Sequence, residues 1–314
     1  MLEVFLAAIP FFLLSIALEA FVLAHHARED RAGGAGGGGG GMLGYERRDT
    51  RTSLAMGAGH LVVLGAWKIV VLAVFAALYS LSPLRVPTDA WWGWVLLFFA
   101  DDVAFYLHHR AHHRIRLFWA QHVVHHSSER YNLSTALRQD WTPFSTGIFW
   151  LWMPLAGFAP WTIFLAQSWS LLCQFGLHTE TIRTLPRPIE WIFNTPSHHR
   201  VHHGSQQQYL DRNYGGILIV WDRLFGTFEP ERERVRYGLT RNIDTFNPVR
   251  VAFHEYAAIW HDVRTATSWR ARLGYAFRGP GWRPASRELS TEQERAVLDR
   301  CPPATPIQDD ALTR

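Results

Sequence analysis

The chain has 314 residues, 48% apolar and 14% aromatic, with a formal charge of +4 and 17 histidines. That length allows one large or two small domains with ample core, which confines disorder to short pieces. The basic residues form no dense run and Lys68 is the sole lysine, which excludes nucleic acid as a partner, while Cys173 and Cys301, far apart and outside any CxxC pattern, exclude a disulfide framework and a zinc ribbon.

In chain order, the first predicted element is an apolar run at residues 2–23 with no basic start and no small-residue cleavage site, expected as a retained membrane span. Residues 33–41 are a glycine-rich flexible linker; no strand precedes it and no acidic residue follows at dinucleotide-fold spacing. Residues 54–81 are the longest apolar run, and 91–107 form a third that opens on Trp91, Trp92 and Trp94 and leads directly into the first histidines. Residues 143–158 and 161–177, joined by Ala159 and Pro160 beside Gly157, predict a helical hairpin. The tail from about Gly279 is rich in Pro, Arg and Glu, with a short helix expected at 291–300, where Thr291 and Glu294 match a capping box.

With the N-terminus outside, the positive-inside rule places Arg28, Arg31, Arg47, Arg48 and Arg51 in the cytoplasm, together with the arginines of 108–141 and those after His178. Every histidine cluster then lies on the cytoplasmic side. A reducing compartment also fits the two unpaired cysteines.

Twelve of the histidines fall at 108–126, at 178 and at 198–203. Imidazole is the commonest metal ligand, and helical residues three or four apart share a face, so HxxxH and HxxHH spacings aim several nitrogens at one place. His109 and His113 form such a pair, with His108 and His112 an equally spaced alternative. His122, His125 and His126 form one triplet. His199, His202 and His203 form another, in which His198 is an alternative to His199, and His178 is a further candidate. On one unbroken helix His113 and His122 would lie about 180° apart, so a shared site demands a bend between Arg114 and Phe118. Eight or nine histidines exceed the coordination of one ion, which points to two metals. Neutral ligands leave metal charge unbalanced, and Asp102 and Glu180 are the acidic residues expected behind the ligands. Asn132, Arg138 and Gln139 are candidates for the same role or for loop packing, and Asn194 for capping the helix of the last triplet. His25, His26, His60, His254 and His261 read as interfacial or structural.

The order HxxxH, HxxHH, HxxHH after paired hydrophobic runs resembles the fatty acid hydroxylase and sterol desaturase superfamily. Within it, residues 122–139 (HVVHHSSERYNLSTALRQ), 194–204 (NTPSHHRVHHG), 213–216 (NYGG) and 221–228 (WDRLFGTF) are similar to the alkylglycerol monooxygenase branch and its bacterial relatives, over roughly residues 45–255. The resemblance implies O2-dependent hydroxylation of an aliphatic carbon on a membrane lipid. It carries over as ligands His109, His113, His122, His125, His126, His199, His202 and His203, with His178 as a ninth, on two iron ions. It also implies tetrahydrobiopterin as reductant. One position departs from the pattern: Arg114 stands where the branch tends to carry an acidic residue, which bears on both the pterin and the ether-lipid substrate.

The chain offers no flavin or nicotinamide loop, no iron-sulfur cysteines and no haem domain, so electrons must come from outside, from a pterin, a ferredoxin or a cytochrome docking on the arginine-rich face. The expected fold is an all-α integral membrane bundle of four or five embedded helices with a cytoplasmic helical cap. Its parts are an N-terminal span and linker (1–52), a catalytic domain (53–260) and a cytoplasmic tail (261–314). A lipid tail is expected to run between spans past residues such as Phe98, Phe99, Phe149, Trp150 and Trp152. The competing readings are a desaturase using the same site, a membrane zinc hydrolase, disfavoured by the lack of HExxH, and a non-catalytic metal-binding membrane protein.

Overall fold

A computed structural model describes the backbone of residues 2–32 and 42–284 and the side chains of 9–26 and 42–284. The expected glycine linker and the helix at 291–300 lie outside the described residues. Within them the protein is all-helical, with one isolated antiparallel bridge between Phe193 and Leu218.

Helices α1 (Leu2–Ala32) and α2 (Arg47–Leu81) are long and apolar enough to cross a membrane by length and composition. Only 11% of the apolar window in each is buried among the described residues. Glu46 caps α2 by accepting from the Asp49 amide at 2.7 Å. Helix α6 (Pro160–Phe175) packs against both α2 and α3 (Trp91–Arg114), around a core that includes Phe75, Leu97, Met153, Ile163 and Phe164.

The expected span at 143–158 is not a helix. It is a string of turns with a short 3-10 stretch (Ile148–Trp150) and a four-residue α5 (Trp152–Leu155). Gly147 and Gly157 take left-handed φ values of +101° and +94°, and Pro154 cannot donate into a preceding turn. A Cβ on Gly157 would sit 2.8 Å from the Leu84 carbonyl carbon, so a close backbone crossing demands glycine there. Apolar composition alone therefore overstated this segment, and the expected hairpin reduces to α6, which Pro160 starts.

The bend required by the histidine phases is present. Ile115 is extended (φ −120°, ψ 116°) between α3 and α4 (Arg116–His126), so the two helices share no continuous face. Arg116 fixes the new direction: its amide donates to the Arg278 carbonyl at 2.9 Å, and its guanidinium pairs with Glu255 and Asp262, both at 2.7 Å, on α10 (Pro248–Thr265). The remaining helices are α7 (Arg187–Ile192), α8 (Pro196–His202), α9 (Val220–Leu224) and α11 (Trp269–Phe277).

Candidate metal centre

The bend lets α3 and α4 aim histidines at one place, and α8 and the residue after it bring three more to it. His109, His113, His122, His126 and His202 form one group; His125, His178, His199 and His203 form a second. Within each group every residue offers a nitrogen lying within 4.8 Å of the others. All nine histidines expected from the sequence are thus brought together, and the adjacent letters part company. His112 bonds to Gln121 at 3.0 Å and Ser145 at 2.8 Å, and His198 bonds to Glu190 at 3.0 Å. His108 packs beside Trp150 and belongs to neither group.

The hydrogen bonds fix which nitrogen is available. Nδ1 of His109, His178 and His202 faces the carbonyls of Tyr214, Gln174 and Arg212 at 2.9 Å, and Nδ1 of His125 faces that of Arg138 at 3.3 Å. A carbonyl only accepts, so each of these Nδ1 atoms carries the proton and each Nε2 presents a lone pair. The His178 and His125 Nε2 atoms then face each other at 3.1 Å as two acceptors, and His199 Nε2 lies 3.0 Å from the same His178 atom. His122 Nε2 stands in the same way 2.9 Å from His109 Nε2 and 3.0 Å from His126 Nε2. Nε2 of His113, His202 and His203 and Nδ1 of His199 are buried with no partner. Converging lone pairs and orphaned nitrogens are unfavourable by themselves, and a cation at the centre of each group resolves the convergence and takes up the orphaned Nε2 atoms of His113, His202 and His203. The spacings agree with coordination: imidazole nitrogens about 2.0–2.1 Å from an ion and at right angles to each other lie about 3 Å apart. The residues present therefore fit a metal site in each group.

Burial lowers the pKa of the seven imidazoles outside α3, in six of them well below the ordinary value and in His178 to about 4. The site is therefore neutral and lone-pair-rich at pH 7. Because these groups bind protons more weakly folded than unfolded, stability is present above the unfolded pKa of about 6.5 and is lost as pH falls through the depressed folded values. We expect the unfolding midpoint of the metal-depleted protein to fall steadily as pH drops from about 6.5 toward 4. A midpoint flat across that window, measured by thermal melts in detergent, would contradict the neutral-site reading.

The carboxylates are arranged differently from the sequence expectation. Asp102 accepts from the Ile217 and Leu218 amides and from Trp221 Nε1, and Glu180 accepts from the Leu43 amide and Tyr237, so each pins a loop rather than a histidine. A carboxylate beside the first histidine group is Asp211, with Oδ1 3.6 Å from His113 Nδ1 and Oδ2 3.6 Å from Arg114. An acidic group thus reaches this place from another loop while Arg114 occupies the position after the second histidine. Asp211, two residues before the quoted NYGG string, and Asn213, its first residue, both hold left-handed backbone, which was the available signal. Asp222 accepts from the Tyr214 and Gly215 amides at 2.8 and 2.7 Å, so with Asp102 it holds the loop whose Tyr214 carbonyl orients His109. Glu19, from α1, accepts from the Leu133 amide at 2.8 Å and from Tyr45 and Thr179, the residue after His178.

Arg138 is buried against Asp49, whereas Asn132 and Gln139 bond to loop carbonyls. Asn194 does not cap α8: its amide donates to the Gly215 carbonyl at 2.6 Å, and Thr195 occupies the N-cap. A cavity of about 520 Å³ opens between α1, α2 and α6, lined there by Ile9, Phe12, Leu61, Leu64, Leu171 and Phe175. It ends on His109, His122, His125, His178 and His199, which belong to both groups. Of the five aromatics proposed for a lipid path, Trp150 lines this cavity; Phe99 and Trp152 are exposed on the outside.

Residues 94–227 match the family model for fatty acid hydroxylase. It is 44% identical to alkylglycerol monooxygenase of Homo sapiens over 212 residues, 67% of this chain and 47% of that protein. It is 47% identical to alkylglycerol monooxygenase of Danio rerio over 208 residues, 66% and 46% of the two chains. An ornithine lipid hydroxylase of Rhizobium tropici is 30% identical over 147 residues, 45% and 44% of the two. The chain spans about half the length of the alkylglycerol monooxygenases it matches. No solved structure gives a significant match.

Proposed function

We propose that the protein is a membrane-embedded oxygenase that hydroxylates an aliphatic carbon of a lipid at a site holding two iron ions. The observation that carries this reading is an apolar cavity that begins among lipid-facing helices and ends on both histidine groups. A volume of about 520 Å³ is in the range of small-ligand sites and takes an extended chain. His109, His113, His122, His126 and His202 would hold one ion and His125, His178, His199 and His203 the other, leaving positions open in shells of at most about six. When bound, the iron pair supplies activation of O2 and the oxidising power to break a C–H bond. The chain's own part is to keep nine imidazoles neutral, to exclude water and to lay the lipid chain along the cavity wall.

Electrons enter from an external donor, a pterin, a ferredoxin or a cytochrome. The relatives named alkylglycerol monooxygenase make an ether lipid the first substrate class to test, and the ornithine lipid hydroxylase makes an aminoacyl lipid the second. We place α1, α2, α3 and α6 in the bilayer and the histidine-bearing cap on the cytoplasmic side, as the arginine distribution favours.

The test is O2-dependent hydroxylation of these lipids by the iron-loaded protein reconstituted in bilayers, beside a variant that plugs the cavity. Ala58 lines the cavity on α2, and Ala58→Trp should retain iron while lowering turnover about 10- to 100-fold. Undiminished turnover in that variant would mean the lipid reaches the site by another route.

A further inference from the structure

Helices α10 and α11 carry apolar side chains that are exposed among the described residues. On α10, Val249, Phe253, Ala257 and Trp260 fall within an arc of about 80°, and on α11 Trp269, Leu273 and Phe277 do the same. All seven are exposed, Trp260 at 63% and Trp269 at 73%. The opposite face of α10 is accounted for, since Val251 and Ala252 pack with Met56 of α2 and Val124 of α4, and Ala271, Gly274 and Tyr275 of α11 are buried.

The charges around these stripes have one sign. Arg250, Arg264, Arg270, Arg272 and Arg278 border them, with the Arg264 guanidinium 5.6 Å from the Trp260 ring and that of Arg272 4.9 Å from Trp269. The acidic residues of the two helices, Glu255 and Asp262, turn to the other side and pair with Arg116. Position agrees as well. Thr52 of α2 donates to the Phe246 carbonyl at 2.9 Å, which sets the start of α10 two residues from Leu54, where the apolar run of α2 begins. An apolar stripe bearing tryptophan and rimmed by arginine, anchored where a span leaves the bilayer, has the composition of a helix lying in the headgroup layer.

We propose that α10 and α11 together form a membrane-docking face that seats the histidine-bearing cap on anionic lipid headgroups. The proposal rests on α2 crossing the bilayer. It also gives the paired helices a role at the site, because Arg116, which fixes the direction of α4 and its three histidines, is gripped by α10.

The experiment uses the full chain with Cys173→Ser and Cys301→Ser, in nanodiscs of phosphatidylcholine and phosphatidylglycerol. An environment-sensitive fluorophore is placed singly at Phe253→Cys, Leu273→Cys, Val62→Cys on the exposed side of α2, or Gln207→Cys on the exposed cap surface. The labels at 253 and 273 should emit to the blue of that at 207. They should be quenched by lipids bearing a nitroxide near the headgroup and shielded from aqueous iodide, with weaker quenching in discs of phosphatidylcholine alone. Iodide quenching equal to that at 207 overturns the proposal, as does shielding from both quenchers, which would mean that protein covers the face. The label at 62 reports separately on the span: if chain-end nitroxides fail to quench it, the membrane-crossing reading of α2 is what has failed.

Discussion

Replacing His199 with alanine should abolish hydroxylation and empty one metal position, whereas His198→Ala should keep both ions and most of the activity. The two residues are neighbours in sequence and both are buried, so residue type and burial cannot separate them. Geometry does. His199 belongs to the four-nitrogen group, with Nε2 3.0 Å from His178 Nε2, while His198 turns to Glu190 at 3.0 Å and Thr195 at 3.3 Å. Even partners one step removed from a metal typically matter 10- to 100-fold, so losing one of only four donors should lower turnover by at least about 100-fold. Iron content and initial rate on the same preparations check this, and equal losses in both variants would refute the assignment of the paired letters.

The second large effect concerns stability. Arg138 is 1% exposed and pairs with Asp49 at 2.9 Å, Ser127 completes the guanidinium, and Ser128 completes the carboxylate. Removing one partner leaves a charge without solvent or counterion, so Arg138→Ala should destabilise the protein by about 3–5 kcal/mol. The double replacement Arg138→Met with Asp49→Leu removes both charges and should recover most of that loss, because an apolar pair of similar size tends to match a buried ion pair. The pair ties the start of α2 to the segment after α4, and the Arg138 carbonyl orients His125, so the single variant should also lose iron. Unfolding midpoints in detergent for the two variants provide the check. A single variant as stable as the unaltered protein would show that the pair contributes nothing.

Much of the centre was legible because helical periodicity is local. The spacing of His109 and His113 set one direction, that of His122, His125 and His126 another, and their phase difference required the break found at Ile115. The family strings chose His109 over His108 and His199 over His198, as the two groups do. What was illegible depends on tertiary approach. Residues 143–158 have the composition of a span, but Gly147 and Gly157 in left-handed backbone turn them into a packed coil against α2 and the loop that follows it. Asp102 sits on the same helix as the first ligands yet faces the 217–221 backbone, and Asp211, about a hundred residues away in sequence, comes beside His113 because α8 and the turn after it fold onto α3. Glu19, Tyr45 and Thr179 meet from three distant stretches, with no local pattern to announce them.

The most direct test is iron per chain, measured together with iron K-edge absorption on protein loaded and purified without oxygen. Two irons per chain with a first shell dominated by imidazole nitrogen are expected, falling to about one in each of His113→Ala and His199→Ala, which strike different groups. A single iron in the unaltered protein, or a shell lacking imidazole scattering, would contradict a paired histidine-held centre.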